Sequence, residues 1–273
     1  MSKQKPSYLA HSDELFGDKR TIMIFGQEGS GKTHLAGTFP KPYFFVPRVS
    51  YNEMQTLRDR HVPVILFDGW QDMAMKVEAF VGDLKSGVID DCATVVFDNL
   101  TSAQIFVEKE IRENLKTSPN MRERDWGQLA QIFINLMIEL HSLDIMVIWI
   151  AHQLKREVTV DAEARSSYTK GDIDLVGKSG RVIPRHADWI LHMESEDWGS
   201  SGQKFFAYTK PHDIWNARIR GPKESTVDIP GKVQNPSYNK FAKLMGWPSK
   251  KEVERGLGGA KRKRKKKRKK QEA

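Results

Sequence analysis

Apolar residues arrive along this chain in two rhythms, as short unbroken runs and as stretches that recur every three to four positions. The runs are Thr21-Ile22-Met23-Ile24-Phe25, then 41–47 (KPYFFVP), 62–67, 92–97 (CATVVF) and 145–151 (IMVIWIA). Runs that leave no polar alternate face predict strands covered on both sides, as in a parallel sheet between two helix layers. Helical spacing of Met73, Val77, Phe80, Val81 and Leu84 predicts a helix over 71–85, and two more are expected over 101–115 and 126–143. The last is apolar around most of its surface and should pack on the sheet. Residues 189–193 and 204–208 predict an antiparallel hairpin at the sheet's edge, with an acidic stretch from Glu194 to Asp197 between them. Residues 116–125 and 154–176 are polar without sustained period and are expected to be loops, the second a long one. Beyond 221 the chain is richer in Pro and Gly, with one amphipathic helix near 238–245, which predicts an appendage rather than a second core. The fold class is therefore α/β, a mainly parallel central sheet flanked by helices. The expected divisions are an N-terminal segment (1–19), one domain (20–220), the appendage (221–260) and a disordered polybasic tail (261–273).

Composition sharpens this picture in two places. With 273 residues, 39% of them hydrophobic, the chain can bury a full core. Its formal charge of +9 comes entirely from the tail, because KRKRKKKRKK over 261–270 leaves 34 basic and 34 acidic residues in 1–260. Three readings of that tail stay open: a flexible polycation on phosphate backbones, a nuclear address if the host is eukaryotic, or a solvated end. The single cysteine, Cys92, has no disulfide or zinc partner, which fits a reducing, cytoplasmic compartment. No apolar signal core opens the chain and no run is long enough to span a bilayer, so no membrane association is expected.

The most informative stretch is Gly26-Gln27-Glu28-Gly29-Ser30-Gly31-Lys32-Thr33, which fits G-x-x-x-x-G-K-S/T, the Walker A pattern, at every fixed position. Glycines let backbone N–H groups close around a triphosphate, here taken to be ATP. Lys32 would neutralise its β and γ phosphates, and the Thr33 hydroxyl would complete the shell of a Mg²⁺ ion. A helix from about 31 to 38 would turn its positive end to the same anion. Asp98, at the tip of the buried run 92–99, would lie beside this loop, since ligands bind at the carboxyl ends of parallel strands. It is therefore a magnesium partner, directly or through the ion's water shell; otherwise it merely ends a strand or caps a helix. His152 and Gln153, at the end of the run 145–151, should point at the same edge. Lys155 and Arg156 belong to the long loop, where nearby acids offset the cations.

Taken in order, these motifs resemble the RecA-like P-loop ATPases, most closely the small phage ATPases associated with single-strand annealing recombination. The residues that carry the resemblance are GQEGSGKT, VVFDNLTSAQ, IWIAHQ, GKSGRVIPRHADWILHM and FFAYTKP, over roughly 20–220. It implies a RecA-like core that hydrolyses ATP with Mg²⁺, works on single-stranded DNA in recombination or replication, and assembles as a ring or filament. It also implies that Gln153 senses the γ-phosphate and that Lys210, or more weakly Arg218, reaches the ATP of a neighbouring subunit. The loops 116–125 and 154–176 would face DNA through Arg122, Arg124, Lys155 and Arg156, with Trp126 and Tyr168 available for stacking. Lys261, Arg262, Lys263 and Arg264 would add non-specific contacts. One departure is evident. Where RecA proteins carry a water-activating glutamate after the second strand, this chain has Phe45-Val46-Pro47-Arg48. Glu53 is the nearest acid; it serves if the segment bends back, and otherwise sits on a surface helix. A DNA-binding module gated by nucleotide with little hydrolysis, and a small-molecule or nucleotide kinase, are the alternatives.

Overall fold

A computed structural model of the chain describes residues 20–114, 121–143, 145–161, 166–177, 179–197, 202–220 and 229–256, without the side chains of 114, 156–161 and 166–170. The segment 1–19, residues 116–120 of the expected 116–125 loop and the tail with Lys261, Arg262, Lys263 and Arg264 lie outside the described residues, as do the side chains of Arg156 and Tyr168.

Strand β1 (Thr21–Gly26) is buried along its whole length, which is what its unbroken apolar run requires. Its Met23 and Phe25 enter one core and its Ile22 and Ile24 the other. Around it the sheet runs β10-β8-β7-β1-β5-β4-β2-β3, where β2 is Pro42–Pro47, β3 Val64–Phe67, β4 Thr94–Asp98, β5 Met146–Asp161, β7 Trp189–Asp197, β8 Gln203–Tyr208 and β10 Lys232–Gln234. The six strands from β7 to β3 are mutually parallel, and β8 and β10 continue antiparallel. A short β9 (Arg218–Ile219) pairs with the start of β7.

Each face is covered by different helices. The short α1 (Lys32–Ala36) lies on the Ile22/Ile24 face. The opposite face holds α2 (Trp70–Ser86), α3 (Leu100–Asn114), α4 (Glu123–His141) and α5 (Ser179–His186). Residues after 228 are built onto the same core: β10 pairs with β8, and α6 (Tyr238–Met245) buries Tyr238 and Phe241 against Phe39 and Trp189. Among the described residues no helix is long and apolar enough to cross a membrane.

Register places aromatic residues in one rung across β2, β4 and β5. Phe45 faces Phe97 and Phe97 faces Trp149, with ring centroids 4.9 Å and 4.7 Å apart. Trp149 is 1% exposed at the centre of the domain. Trp149→Ala removes about 3–5 kcal/mol of stability, because so large a void cannot collapse between paired strands; urea unfolding would measure it.

Two expectations are corrected here, and one open segment is defined. Residues 154–176 are not one long loop: β5 continues to Asp161 and pairs antiparallel with β6 (Ser166–Ile173). A two-stranded ribbon satisfies its backbone by pairing and needs no apolar face, so its polar sequence carries no period-two signal. Helix α4 begins at Glu123, before the expected 126, because the Arg122 N–H donates to Asp125 Oδ2 over 2.7 Å and closes the first turn. Exposed Arg122 and Arg124 thus sit at a helix start, and Trp126 is partly buried against the core. Finally, 48–60 is a run of 3₁₀ turns (Arg48–Arg60), which returns the chain from the end of β2 past α1.

Candidate functional site

The turn between β1 and α1 is shaped by its glycines. Gly31 has φ of 85° and precedes Lys32, and a β-carbon there would stand 2.7 Å from the Phe205 ring on β8. That conformation and that contact both demand glycine. Gly26 closes just as tightly on the Met193 carbonyl of β7. Gln27, Glu28 and Gly29 form the exposed crest, and Ser30 is buried with no partner for Oγ among the described residues.

Lys32 is 5% exposed and donates to the carbonyls of Gly26 (3.0 Å) and Gln27 (2.7 Å). Burial pushes its ammonium below the ordinary lysine range, opposed by Asp98, Glu53 and Glu28. Thr33 donates its hydroxyl to Asp98 Oδ2 at 2.6 Å. The other carboxyl oxygen, Oδ1, is buried without a hydrogen-bond partner among the described residues. Burial first and the Glu53 charge second push the Asp98 carboxyl up to about 7.

Glu53 reaches this cluster because the 3₁₀ segment folds back from β2. Its Oε1 accepts from Asn99 Nδ2 over 3.2 Å, and the same amide nitrogen stands 3.0 Å from His152 Nε2. Asn99 Oδ1 accepts from the Ser102 N–H, which fixes the orientation of the amide. The His152 Nε2 is therefore the unprotonated acceptor, in keeping with burial that lowers the tendency of this ring to take a second proton. One buried carboxamide thus ties Glu53 on one side to His152 on the other.

Strand alternation separates His152 from Gln153. Asp98 pairs with Ile150, so His152 lies on the face of Asp98 and α1. Gln153 follows Ala151 on the opposite face, where its Oε1 lies 3.1 Å from His192 Nε2. Of the two, only His152 joins the cluster. Lys210 is exposed beyond the end of β8, against Gly231. Arg218 lies in β9 beside the start of β7, the end of the sheet opposite the glycine turn, and donates to the Pro184 and Ala187 carbonyls. Lys155 is exposed in the β5–β6 ribbon. His152 was expected at this edge together with Gln153, but without a partner; Asn99, His192 and Phe205 carried no predicted role. An asparagine directly after a strand-ending acid and strict alternation beyond Ile150 were available signals for Asn99 and His152; nothing local marks His192 or Phe205.

The residues present fit a magnesium nucleotide. The turn offers backbone N–H groups and a buried ammonium to phosphate, and Thr33 with Asp98, whose Oδ1 is unsatisfied, is an oxygen donor set suited to a hard cation. The shifted proton affinities of Asp98 and His192 have a consequence for stability. The folded chain keeps a proton on Asp98 that the unfolded chain has lost, so this residue's contribution falls as pH rises from about 4 to about 7 and then stays low. His192, pushed by burial down to about 4, works in the other direction below about 6.5. The Asp98 part is isolated by comparing urea midpoints with Asp98→Asn: the variant gains on the wild type between pH 5 and pH 8, and a constant difference would refute this account.

No curated protein matches the chain. A family model described as an AAA domain matches residues 18–221, three quarters of the chain and the whole region that carries the glycine turn, Asp98 and His152. With this match, a mostly parallel sheet and a glycine turn of the Walker A pattern at its edge, the chain belongs to the AAA-domain family, the AAA-type P-loop ATPases.

Proposed function

We propose that the chain hydrolyses ATP with Mg²⁺, and that it does so as a RecA-like oligomer acting on single-stranded DNA in phage-type recombination or replication. The observation that carries the hydrolytic part is the convergence of buried Lys32, Thr33 and Asp98 with half-buried Glu53 in one cluster. In this reading backbone N–H groups of 28–33 and the Lys32 ammonium hold the phosphates. Thr33 and Asp98 hold the metal, which supplies charge neutralisation for the phosphoryl group. Glu53, oriented by Asn99, takes the proton of a water whose oxygen attacks the γ-phosphorus as the bond to the β-phosphate oxygen breaks and ADP leaves. Glu53 fills the role that the end of β2 lacks, which weighs against a nucleotide-gated module without hydrolysis. Gln153 would report the terminal phosphate.

The DNA and oligomer parts rest on the resemblance, on the ten consecutive cations at 261–270 and on Arg122, Arg124, Lys155 and Arg156. The position of Lys210 beyond β8 suits a neighbour's site better than its own. Arg218 is occupied by carbonyls at the far end of the sheet, so it is a poor trans cation. The test is phosphate release by the full chain with and without single-stranded DNA, together with its mass in solution. DNA-stimulated turnover by an oligomer supports the reading; tight ATP binding with no turnover in either condition overturns the hydrolytic part.

A further inference from the structure

His192 is a fully enclosed titratable side chain that the hydrolytic cluster does not use. It sits in β7 at 0% exposure, paired in register with Phe25, the last residue before the glycine turn. Its ring lies 4.9 Å from the Phe25 ring, 5.8 Å from Tyr208 and 5.0 Å from Trp215. A histidine buried among aromatics needs a reason, since phenylalanine would fill the place without an unsatisfied nitrogen. Here Nδ1 has no partner among the described residues, and the only recorded bond of the ring is from Nε2 to Gln153 Oε1. The acceptor is a carbonyl oxygen, so Nε2 carries the proton and donates.

That bond crosses over β1. Gln153 on β5 and His192 on β7 flank the strand that leads into the glycine turn, on the face away from α1 and Asp98. The amide is enclosed from a third side, because a β-carbon on Gly171 would collide with Gln153 Nε2. Gly171 is itself bonded through its N–H to the Ile214 carbonyl, and Trp215, stacked on His192, is bridged to His212. Gln153 therefore contacts both the β5–β6 ribbon and, through His192, the 212–215 segment.

We propose that His192 is a positioning residue that holds the Gln153 amide away from the terminal phosphate, so that Gln153 can contact nucleotide only by breaking this bond. This rests on the reading of Gln153 as the reporter of the γ-phosphate. Release of Gln153 leaves His192 with both nitrogens unpaired in its aromatic enclosure. That cost favours the nucleotide-free arrangement and loosens Trp215 and the 212–215 segment together with the base of the ribbon. Binding of a triphosphate is thereby opposed by a local bond that binding of a diphosphate does not break.

The test uses the full chain labelled with ¹⁵N at histidine and observed by NMR at pH 7, with the His192 ring assigned by its loss in His192→Gln. Without nucleotide, His192 should be neutral with the proton on Nε2, and Gln153→Ala should shift that resonance. Gln153→Glu should draw the ring toward its charged form, because a carboxylate then faces it. With Mg²⁺ and a non-hydrolysable ATP analogue the wild-type resonance should move toward its Gln153→Ala position, whereas with ADP it should stay. His192→Leu should bind the analogue about three- to tenfold more tightly, as expected for removing one neutral hydrogen bond that opposes binding. His192→Gln, which restores a donor near the same place, should return to wild-type affinity. A merely structural role for His192 predicts weaker binding in both variants. The proposal fails if Gln153→Ala leaves the His192 resonance unmoved, or if saturating analogue leaves it unmoved. Absence of analogue binding altogether, checked against Lys32→Ala, would instead remove the nucleotide reading, and the first comparison would still decide whether the His192 to Gln153 bond exists.

Discussion

Lys32→Ala lowers Mg²⁺-dependent ATP turnover by at least about 10²-fold, the scale of losing one preorganised donor to developing negative charge. The geometry asks more of Lys32 than a solvated charge could give. Its ammonium is buried, already desolvated, and pinned between the Gly26 and Gln27 carbonyls, so it costs little reorganisation to meet a phosphate. Asp98, Glu53 and Glu28 all act on it electrostatically, and without it these acids face one another uncompensated. Alanine should therefore also push the Asp98 carboxyl higher and weaken nucleotide binding, which a fluorescent ATP analogue would read. Lys32→Arg should fail nearly as badly: the planar fork of a guanidinium does not fit where one compact ammonium bridges two carbonyls six and five residues back. Retained turnover in Lys32→Ala would remove the glycine turn from the chemistry and leave the proposed ATPase without a phosphate site.

Legibility in this chain followed from how each element buries itself. Strands β1, β4 and the first half of β5 are covered on both faces, so 21–25, 92–97 and 145–151 stand out as unbroken apolar runs, and the parallel sheet is readable from them alone. The first half of β7 was readable for the same reason. The β5–β6 ribbon was not, since two polar strands that satisfy each other leave no hydrophobic trace. The site divides along similar lines. Gly31 and Lys32 are fixed by local backbone demands, which a motif records. Asn99, His152 and His192 take their meaning from partners 46, 53 and 39 residues away, through contacts that depend on strand order and register. Glu53 lies between these cases: its distance from β2 was visible, but whether the segment bends back depended on 3₁₀ turns with little periodic signal of their own.

Glu53→Gln should separate catalysis from binding more cleanly than any other substitution in the cluster. Glutamine keeps the side-chain length and a carbonyl oxygen for Asn99 Nδ2, so the amide that joins residue 53 to His152 stays in place. It cannot accept a proton from water. Turnover should fall by about 10²–10⁴-fold, the usual contribution of a positioned general base, while affinity for a non-hydrolysable ATP analogue stays within about twofold. A second effect has the opposite sign. The Glu53 charge is among the causes that push the Asp98 carboxyl up to about 7, so its removal brings that carboxyl back toward the ordinary range. The folded variant then holds less of the excess proton, and its stability without nucleotide should rise relative to the wild type near pH 8. An acid that only braced the fold would give the reverse, unchanged turnover per folded molecule and lower stability. Loss of turnover with gained alkaline stability is the pattern expected when a catalytic carboxylate is held close to a metal-binding one and both bear the cost of their mutual repulsion until a cation arrives.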